Sequence, residues 1–131
     1  MRPFLAPLLL VATTTAFAQG MYSSPYAIVE TGQRDDVNRY ATVGITKVDG
    51  KSTVDPRRTD PISPGKHIIR IAFDSGRGRF QPDYRDVQID FEPCKLYTVV
   101  AKYENRLGPD WEVKVGEQPL GECLRKFPQA K

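Results

Sequence analysis

Apolar and polar residues alternate along most of this chain with the two-residue period of β-strands. Val87, Ile89 and Phe91, for example, alternate with acidic or amide residues, so this run has one apolar face and one polar face. No long window has the period of a helix, and only a short helical turn is expected, within residues 121–127. The pattern therefore predicts an all-β protein. The other runs with strand character are residues 26–30, 43–48, 69–73, 97–103 and 111–115.

Turn-forming residues separate these runs. Asp49-Gly50 predicts a tight turn, because a type I′ hairpin turn needs two residues that tolerate positive φ. Residues 51–65 carry three prolines, which cannot donate hydrogen bonds to a sheet. This segment is expected to be a long ordered loop with at most an edge strand near residues 52–54. A turn at residues 105–110 joins the last two runs as a hairpin.

The number and length of the runs predict one compact β architecture. Short strands with one buried face favour two sheets packed face to face. We therefore expect a single Ig-like or transthyretin-like β-sandwich of about six or seven mostly antiparallel strands. A small open barrel is the alternative. The chain contains no internal repeat or domain linker, and the 113 residues that follow residue 18 suit one domain.

The N-terminus predicts export. Arg2 precedes a short apolar run at residues 4–11, and Ala16-Phe17-Ala18 has the small-x-small pattern of a signal-peptidase site. We expect a signal peptide at residues 1–18 and a mature domain at 19–131, with its core at about 26–116 and a C-terminal tail at 117–131. The apolar run is too short to span a bilayer. The mature chain is therefore expected to be periplasmic or secreted, with no transmembrane segment after cleavage.

The charge balance of the mature chain is nearly neutral. The sequence holds 19 Lys and Arg residues and 16 Asp and Glu residues, and cleavage after Ala18 removes only Arg2. A net charge this small does not indicate a nucleic-acid partner. Export makes such a partner less plausible still. No nucleic-acid binding is therefore expected.

The chain has only two cysteines, Cys94 and Cys123. In an exported protein an even pair predicts a disulfide, and closing a loop of about 30 residues stabilises a fold by roughly 3–4 kcal/mol in the chain-entropy model. This disulfide is expected to pin the C-terminal tail. Metal ligation and a reactive thiol are the competing interpretations. A metal site would lack soft ligands, since the chain has a single histidine.

Part of the sequence resembles a known group of sandwich domains. The segment ITKVDGK at residues 45–51 is followed after a loop by SPGKHIIRI at residues 63–71, and then by YTVVA at residues 97–101. This order resembles PEGA-type and transthyretin-like (carboxypeptidase-regulatory-like) modules. The resemblance implies a β-sandwich on the envelope side of a bacterium, used for binding or as a spacer. It implies no catalytic residues.

No pattern in the sequence predicts catalytic, cofactor-binding or metal-binding residues. His67 shares a strand face with Ile69 and Ile71, so we expect it at the core or its rim rather than in catalysis. No G-x-S-x-G element marks a serine nucleophile. No calcium-loop motif organises the loop carboxylates, and these are interpreted as solvated acids: Asp35, Asp36, Asp49, Asp55 and Asp60.

The segment 74–85 is the best candidate for a binding site. It combines arginines, aromatic residues and glycines, and both arginine and tyrosine are enriched at binding hot spots. Guanidinium groups also suit carboxylates and phosphates. The alternative interpretation is a solubilising loop whose aromatic residues pack on the sandwich. A second, weaker basic loop carries Lys51, Arg57 and Arg58. The candidate binding residues of the first loop are Arg77, Arg79, Phe80, Tyr84 and Arg85.

Together these patterns favour a non-catalytic binding or accessory module of the bacterial cell envelope. Its expected ligands are anionic groups or protein partners, bound through the segment 74–85. Three alternatives remain: an inhibitor of a secreted hydrolase, a structural subunit that shares an edge strand, and a hydrolase whose site only the fold would assemble. The sequence leaves the partner and the oligomeric state open.

Overall fold

The computed structural model describes residues 22–73, 83–104 and 110–130, so the predicted signal peptide at residues 1–18 lies outside the described residues. Within these ranges the chain forms eight strands and one short helix. In the part described, no helix is long and apolar enough to cross a membrane. The elements are β1 (Ile28–Thr31), β2 (Tyr40–Ala41), β3 (Gly44–Val48), β4 (Lys51–Ser52), β5 (Gly65–Phe73), β6 (Asp83–Phe91), β7 (Lys95–Tyr103), β8 (Trp111–Pro119) and α1 (Gly121–Lys126).

The strands form two sheets. In the first sheet β4, β3, β5 and β6 lie side by side in that order, and each neighbouring pair is antiparallel. In the second sheet β8 pairs antiparallel with β7 along its whole length, while β1 (parallel) and β2 (antiparallel) share the other side of β7. The predicted all-β sandwich of mostly antiparallel strands is confirmed. The two-residue β2 was not predicted, because it is too short to show a period.

The apolar faces of the two sheets meet in one core. Alternate residues of β5 and β7 are buried, as the two-residue period predicts. The ring of Phe91 on the first sheet lies 4.8 Å from the ring of Tyr97 on the second, edge to face, and this contact joins the sheets. The buried core consists of Ala27, Val29, Val43, Ile45, Ile62, Ile69, Ile71, Phe73, Ile89, Phe91, Tyr97, Val99, Ala101 and Trp111.

The predicted Asp49-Gly50 turn joins β3 to β4. Asp49 has a φ of 50° and Gly50 a φ of 80°, which are the two left-handed positions of a type I′ turn. The edge strand that was expected near residues 52–54 is confirmed only at Ser52, because β4 consists of Lys51 and Ser52 and ends before Thr53.

The proline-rich segment after β4 is an ordered loop, as predicted. The backbone N–H groups of Ala27 and Ile62 each donate to the other residue's carbonyl at 2.8 Å. The buried hydroxyl of Thr59 accepts a 3.0 Å hydrogen bond from the N–H of Val29. The loop therefore runs along the outer edge of β1 and closes one side of the sandwich.

The C-terminal tail packs on the outer face of the second sheet. Its α1 lies within residues 121–127, where a short helical turn was expected, and Cys123 on α1 forms the predicted disulfide with Cys94. Both cysteines are almost completely buried. β8 extends to Pro119, three residues past the expected end of the core at residue 116. The disulfide lies in a second apolar cluster formed by Tyr26, Ile28, Cys94, Leu96, Leu120 and Cys123.

Candidate functional site

The structure divides the predicted arginine and aromatic segment. Arg77, Arg79 and Phe80 lie outside the described residues. The expectation that a loop extends to residue 85 was wrong at its end, because β6 begins at Asp83 and includes Tyr84 and Arg85. The reason is the pairing with β5, which continues as far as Phe73 opposite Asp83.

Arg85 and Trp111 form a contact between the two sheets. The guanidinium carbon of Arg85 lies 4.2 Å from the centre of the Trp111 ring, and Arg85 Nη1 donates to the carbonyl of Trp111. Trp111 Nε1 in turn donates to Asp83 Oδ2 at 2.7 Å. Trp111 is a buried core residue. Arg85 is therefore engaged within the fold, whereas the neighbouring Tyr84 is 54 % exposed.

A cleft of about 430 Å³ lies between the β3–β4 hairpin and the proline-rich loop. Its apolar lining comes from Val48, Val54, Pro61 and Ile62, and Val54 is almost fully exposed. Such a mixture of apolar walls and a few polar groups is typical of ligand sites. The polar side chains around it include Lys51, Thr53, Asp60, Ser63 and His67.

Asp49, His67 and Ser63 are hydrogen-bonded to one another at the inner end of this cleft. His67 Nδ1 lies against Asp49 Oδ2. His67 Nε2 lies 2.7 Å from the carbonyl oxygen of Ser63 and 3.3 Å from its hydroxyl oxygen. The ring also packs beside Phe91, with 5.7 Å between centres. His67 thus lies at the rim of the core, as predicted.

The arrangement of these three residues resembles a catalytic Asp–His–Ser triad, but its hydrogen bonds differ. A general base needs a free lone pair on Nε2 to take the serine proton. The shorter contact of Nε2 is to the Ser63 carbonyl oxygen and the longer one is to the Ser63 hydroxyl, so Nε2 is not directed mainly at the serine hydroxyl as the base of a triad is. The geometry therefore makes His67 a brace between the hairpin turn and the end of the proline-rich loop.

The sequence did not predict this contact, because the contact depends on the register of β3 against β5. β3 and β5 are neighbours on either side of the proline-rich loop, and Val48 lies opposite Ile69. That register places the Asp49-Gly50 turn beside the beginning of β5, where His67 lies. Asp49 had been interpreted as a solvated loop acid, whereas its carboxylate accepts hydrogen bonds from the His67 ring and from the N–H of Ile68 at 2.9 Å.

The second basic loop is largely neutralised by carboxylates. Arg58 lies 3.5 Å from Glu30 and 3.3 Å from Glu122. Arg57 is 3.3 Å from Asp55. Among the described residues, neither Lys51 nor Asp60 forms an ion pair. The Lys51 ammonium and the Asp60 carboxylate therefore lie at the cleft without an ion pair in the described part of the chain, and the Lys51 charge also acts on the Asp49 carboxylate.

The fold and the cleft define this protein as an all-β sandwich with a surface cleft of mixed polarity. Comparison with known proteins gives no match, since no family model, no curated protein and no solved structure is significantly similar to the chain. Within the described ranges, no group of three or more His, Cys, Asp or Glu side chains is placed to hold a metal ion. The resemblance to PEGA-type and transthyretin-like modules stays a prediction.

Replacing Asp49 with asparagine is expected to lower the free energy of unfolding at neutral pH by about 1 kcal/mol, a modest value because the carboxylate is half exposed. Asparagine tolerates the positive φ of the turn, so the change isolates the charge. The hydrogen bond from His67, together with that from Ile68, holds the pKa of the Asp49 carboxyl below its usual value. Such a group stabilises the fold above its unfolded pKa, and the stabilisation is lost as pH falls through the folded pKa.

Urea unfolding measured from pH 7 down to pH 2 tests this prediction. The difference between wild type and Asp49→Asn should be full at neutral pH and should close below about pH 4. Asp60→Asn is the matched control, because it removes an exposed carboxylate that lacks an ion pair in the described part of the chain. A difference that stays constant over the whole pH range would contradict the assignment.

Proposed function

We propose that this chain is an exported, non-catalytic binding or accessory domain of the bacterial cell envelope. The predicted signal peptide supports export. The buried Cys94–Cys123 disulfide supports an oxidising compartment. The cleft between the β3–β4 hairpin and the proline-rich loop is the observation that carries the binding function.

The chemistry of the cleft favours a peptide segment of a partner protein as its ligand. Lys51 on the hairpin side offers an ammonium to a carboxylate, and Asp60 on the loop side offers a carboxylate to a basic group. Val48 and Val54 supply apolar surface between polar groups. A peptide carries charges of both signs on a partly apolar chain, and it therefore uses all three features.

Hydrogen bonds hold two walls of this cleft in place before a ligand binds. The His67 brace fixes the end of the proline-rich loop relative to the Asp49 turn. The hydroxyl of Thr53 donates to the Ile45 carbonyl at 2.5 Å, which fixes the other wall. A site whose walls are already held in place spends less conformational entropy when a ligand binds.

The predicted arginine and aromatic segment is the competing binding surface of the same domain. Arg77, Arg79 and Phe80 are its candidates for anionic or protein partners. Tyr84 continues the segment as an exposed ring on β6. Because Arg85 is engaged by Trp111, a test of this surface should change Arg77 and Arg79 and leave Arg85 intact.

A pull-down from a detergent-solubilised envelope fraction tests the proposal. The tagged mature domain should retain a partner protein, quantified by mass spectrometry. Lys51→Glu should lower its recovery about tenfold, which corresponds to roughly 1.4 kcal/mol, because attraction to a carboxylate becomes repulsion. Lys66→Glu on the exposed outer face of β5 is the matched control and should leave recovery unchanged.

Two results would contradict the cleft as the site. In the first, Lys51→Glu and Lys66→Glu recover the same amount of partner as wild type. In the second, Arg77→Ala with Arg79→Ala abolishes recovery while Lys51→Glu does not, and this outcome moves the site to the arginine and aromatic segment.

A further inference from the structure

The sheet edges on the two sides of the sandwich differ in whether another segment covers them. On one side the proline-rich loop covers the edge of β1. On the other side β6 and β8 are the outermost strands of their sheets, and each is nine residues long. In the part of the chain that the structure describes, no further strand pairs with their outer sides, and a free edge of this length is a template for pairing with another strand. The two edges therefore need to be examined for what they offer a partner.

The hydrogen bonds of β7 show which backbone groups of β8 point outward. The N–H of Tyr103 donates to Arg39 and the carbonyl of Val99 accepts from Gly32, so the odd-numbered residues of β7 face β1 and β2. Directions alternate along a strand, and β7 pairs with β8 in the register Tyr103 opposite Trp111. The outward backbone groups of β8 are therefore those of the odd-numbered residues, from Trp111 to Pro119.

At each end of this outward row, one backbone group is unable to pair with another strand. The carbonyl of Trp111 accepts from the guanidinium of Arg85, so it is occupied. Pro119 has no N–H and cannot donate. Between these ends, the outward groups of Val113, Val115 and Glu117 have no hydrogen-bond partner among the described residues.

We propose that β8 is a homodimerisation edge, at which two copies pair their β8 strands antiparallel about a two-fold axis at Val115. In this register Trp111 lies opposite Pro119 of the second copy. The Trp111 carbonyl, which already accepts from Arg85, thus lies opposite Pro119, which has no N–H to donate. Every other outward backbone N–H and carbonyl of the strand is paired with a group of the second copy. The second sheets of the two copies become one continuous sheet with a self-complementary interface.

Neighbouring registers lack this match. An axis at Lys114 places two lysines opposite each other, and an axis at Glu117 places two glutamates opposite each other, which is destabilising. An axis at Val113 directs the N–H of Val115 at the occupied Trp111 carbonyl. An axis at Gly116 places the Val113 carbonyl opposite Pro119, which cannot donate.

The side chains of β8 agree with the axis at Val115. Val115 is an apolar side chain that is 42 % exposed, and it would pack against its own copy. On the other face Lys114 would lie opposite Gly116, and Glu112 opposite Gln118, so no like charges meet directly. The second copy is therefore the occupant that this edge fits.

The β6 edge carries more charge along its outward row than β8 does. Ile68 uses both its N–H and its carbonyl toward the β3 side, so Gln88 opposite it points its backbone groups outward. The outward row of β6 then includes Asp86 and Asp90, both exposed carboxylates. Charged residues on an edge discourage strand pairing, and the outward row of β8 carries one such residue, Glu117, against the two of β6, so β8 is the more favourable pairing edge.

Analytical ultracentrifugation of the mature protein tests the proposal. Wild type should sediment at twice the mass of the chain at tens of micromolar. Val115→Pro should sediment as a monomer, because it removes an outward N–H without breaking a hydrogen bond to β7. Gln88→Pro is the matched control, since it removes an outward N–H from β6 and should leave the dimer intact.

Cysteine cross-linking tests the register and does not depend on a folded proline variant. Val115→Cys places two cysteines opposite each other at the axis, about 5.5 Å apart between Cα atoms, and mild oxidation should give a covalent dimer on a non-reducing gel. Glu117→Cys, exposed on the same strand, should not cross-link. A wild-type monomer at every concentration, a dimer that survives Val115→Pro, or equal cross-linking of both cysteine variants would each overturn the proposal.

Discussion

Replacing both Cys94 and Cys123 with alanine is expected to lower the free energy of unfolding by about 3 kcal/mol. The two residues are 29 positions apart, and the chain-entropy model gives roughly 3–4 kcal/mol for closing a loop of this length. For a small domain with a total stability of about 5–15 kcal/mol this is a large fraction. Urea unfolding followed by circular dichroism measures the change.

The location of the disulfide predicts which part of the fold loosens first. Cys123 holds α1 against Tyr26 and Leu96, in the apolar cluster outside the main core. Amide hydrogen exchange in the double variant should therefore accelerate in α1 and at Tyr26, while β5 and β6 keep their protection. Reduced wild type is the matched control, because it removes the covalent link while both sulfurs remain. A loss below about 1 kcal/mol in both proteins would contradict a stabilising disulfide.

The sequence was sufficient to predict the elements whose cause is local. The alternation in β5 and β6 follows directly from burial of one strand face. The Asp49-Gly50 turn follows from the φ values that its two residues tolerate. The pairing of the cysteines followed because the chain offers only one possible pair.

Contacts between distant segments could not be predicted in the same way. The brace between Asp49 and His67 depends on the register of β3 against β5, which shifts between Ile45 and Lys47. A shift of this kind inserts an extra residue in one strand, and the alternation of apolar residues does not reveal it. The cleft that this brace helps to form was consequently absent from the sequence-based interpretation.

The end of the arginine and aromatic segment shows a second limit. Tyr84 and Arg85 follow a glycine-rich and proline-containing stretch and resemble loop residues in sequence. Their strand pairing is set by β5, and the contact of Arg85 with Trp111 joins residues 26 positions apart on different sheets. An arginine that looked available for a ligand therefore stabilises the sandwich.

Replacing Trp111 with alanine is expected to lower the free energy of unfolding by about 3–4 kcal/mol, in the range for removing a large buried aromatic side chain. The ring is 4 % exposed, lies 5.2 Å from the Phe73 ring and supports the Arg85 guanidinium. The alanine variant loses these contacts and leaves a cavity between the sheets. It also leaves the Asp83 carboxylate without its indole partner. Circular dichroism during urea unfolding is the measurement, since the variant has no other tryptophan to follow by fluorescence.

Two further variants separate the causes of this loss. Trp111→Phe keeps an aromatic ring beside Phe73 but has no N–H for Asp83, and it should cost about 1 kcal/mol for the hydrogen bond plus part of the packing. Tyr84→Ala is the matched control, because it removes an exposed aromatic residue next to Arg85 and should cost less than about 0.5 kcal/mol. If Trp111→Ala were no more destabilising than Tyr84→Ala, Trp111 would not be the anchor between the two sheets. The larger loss at Trp111 is expected because its buried side chain packs in the core and also contacts Asp83 and Arg85 at the start of β6.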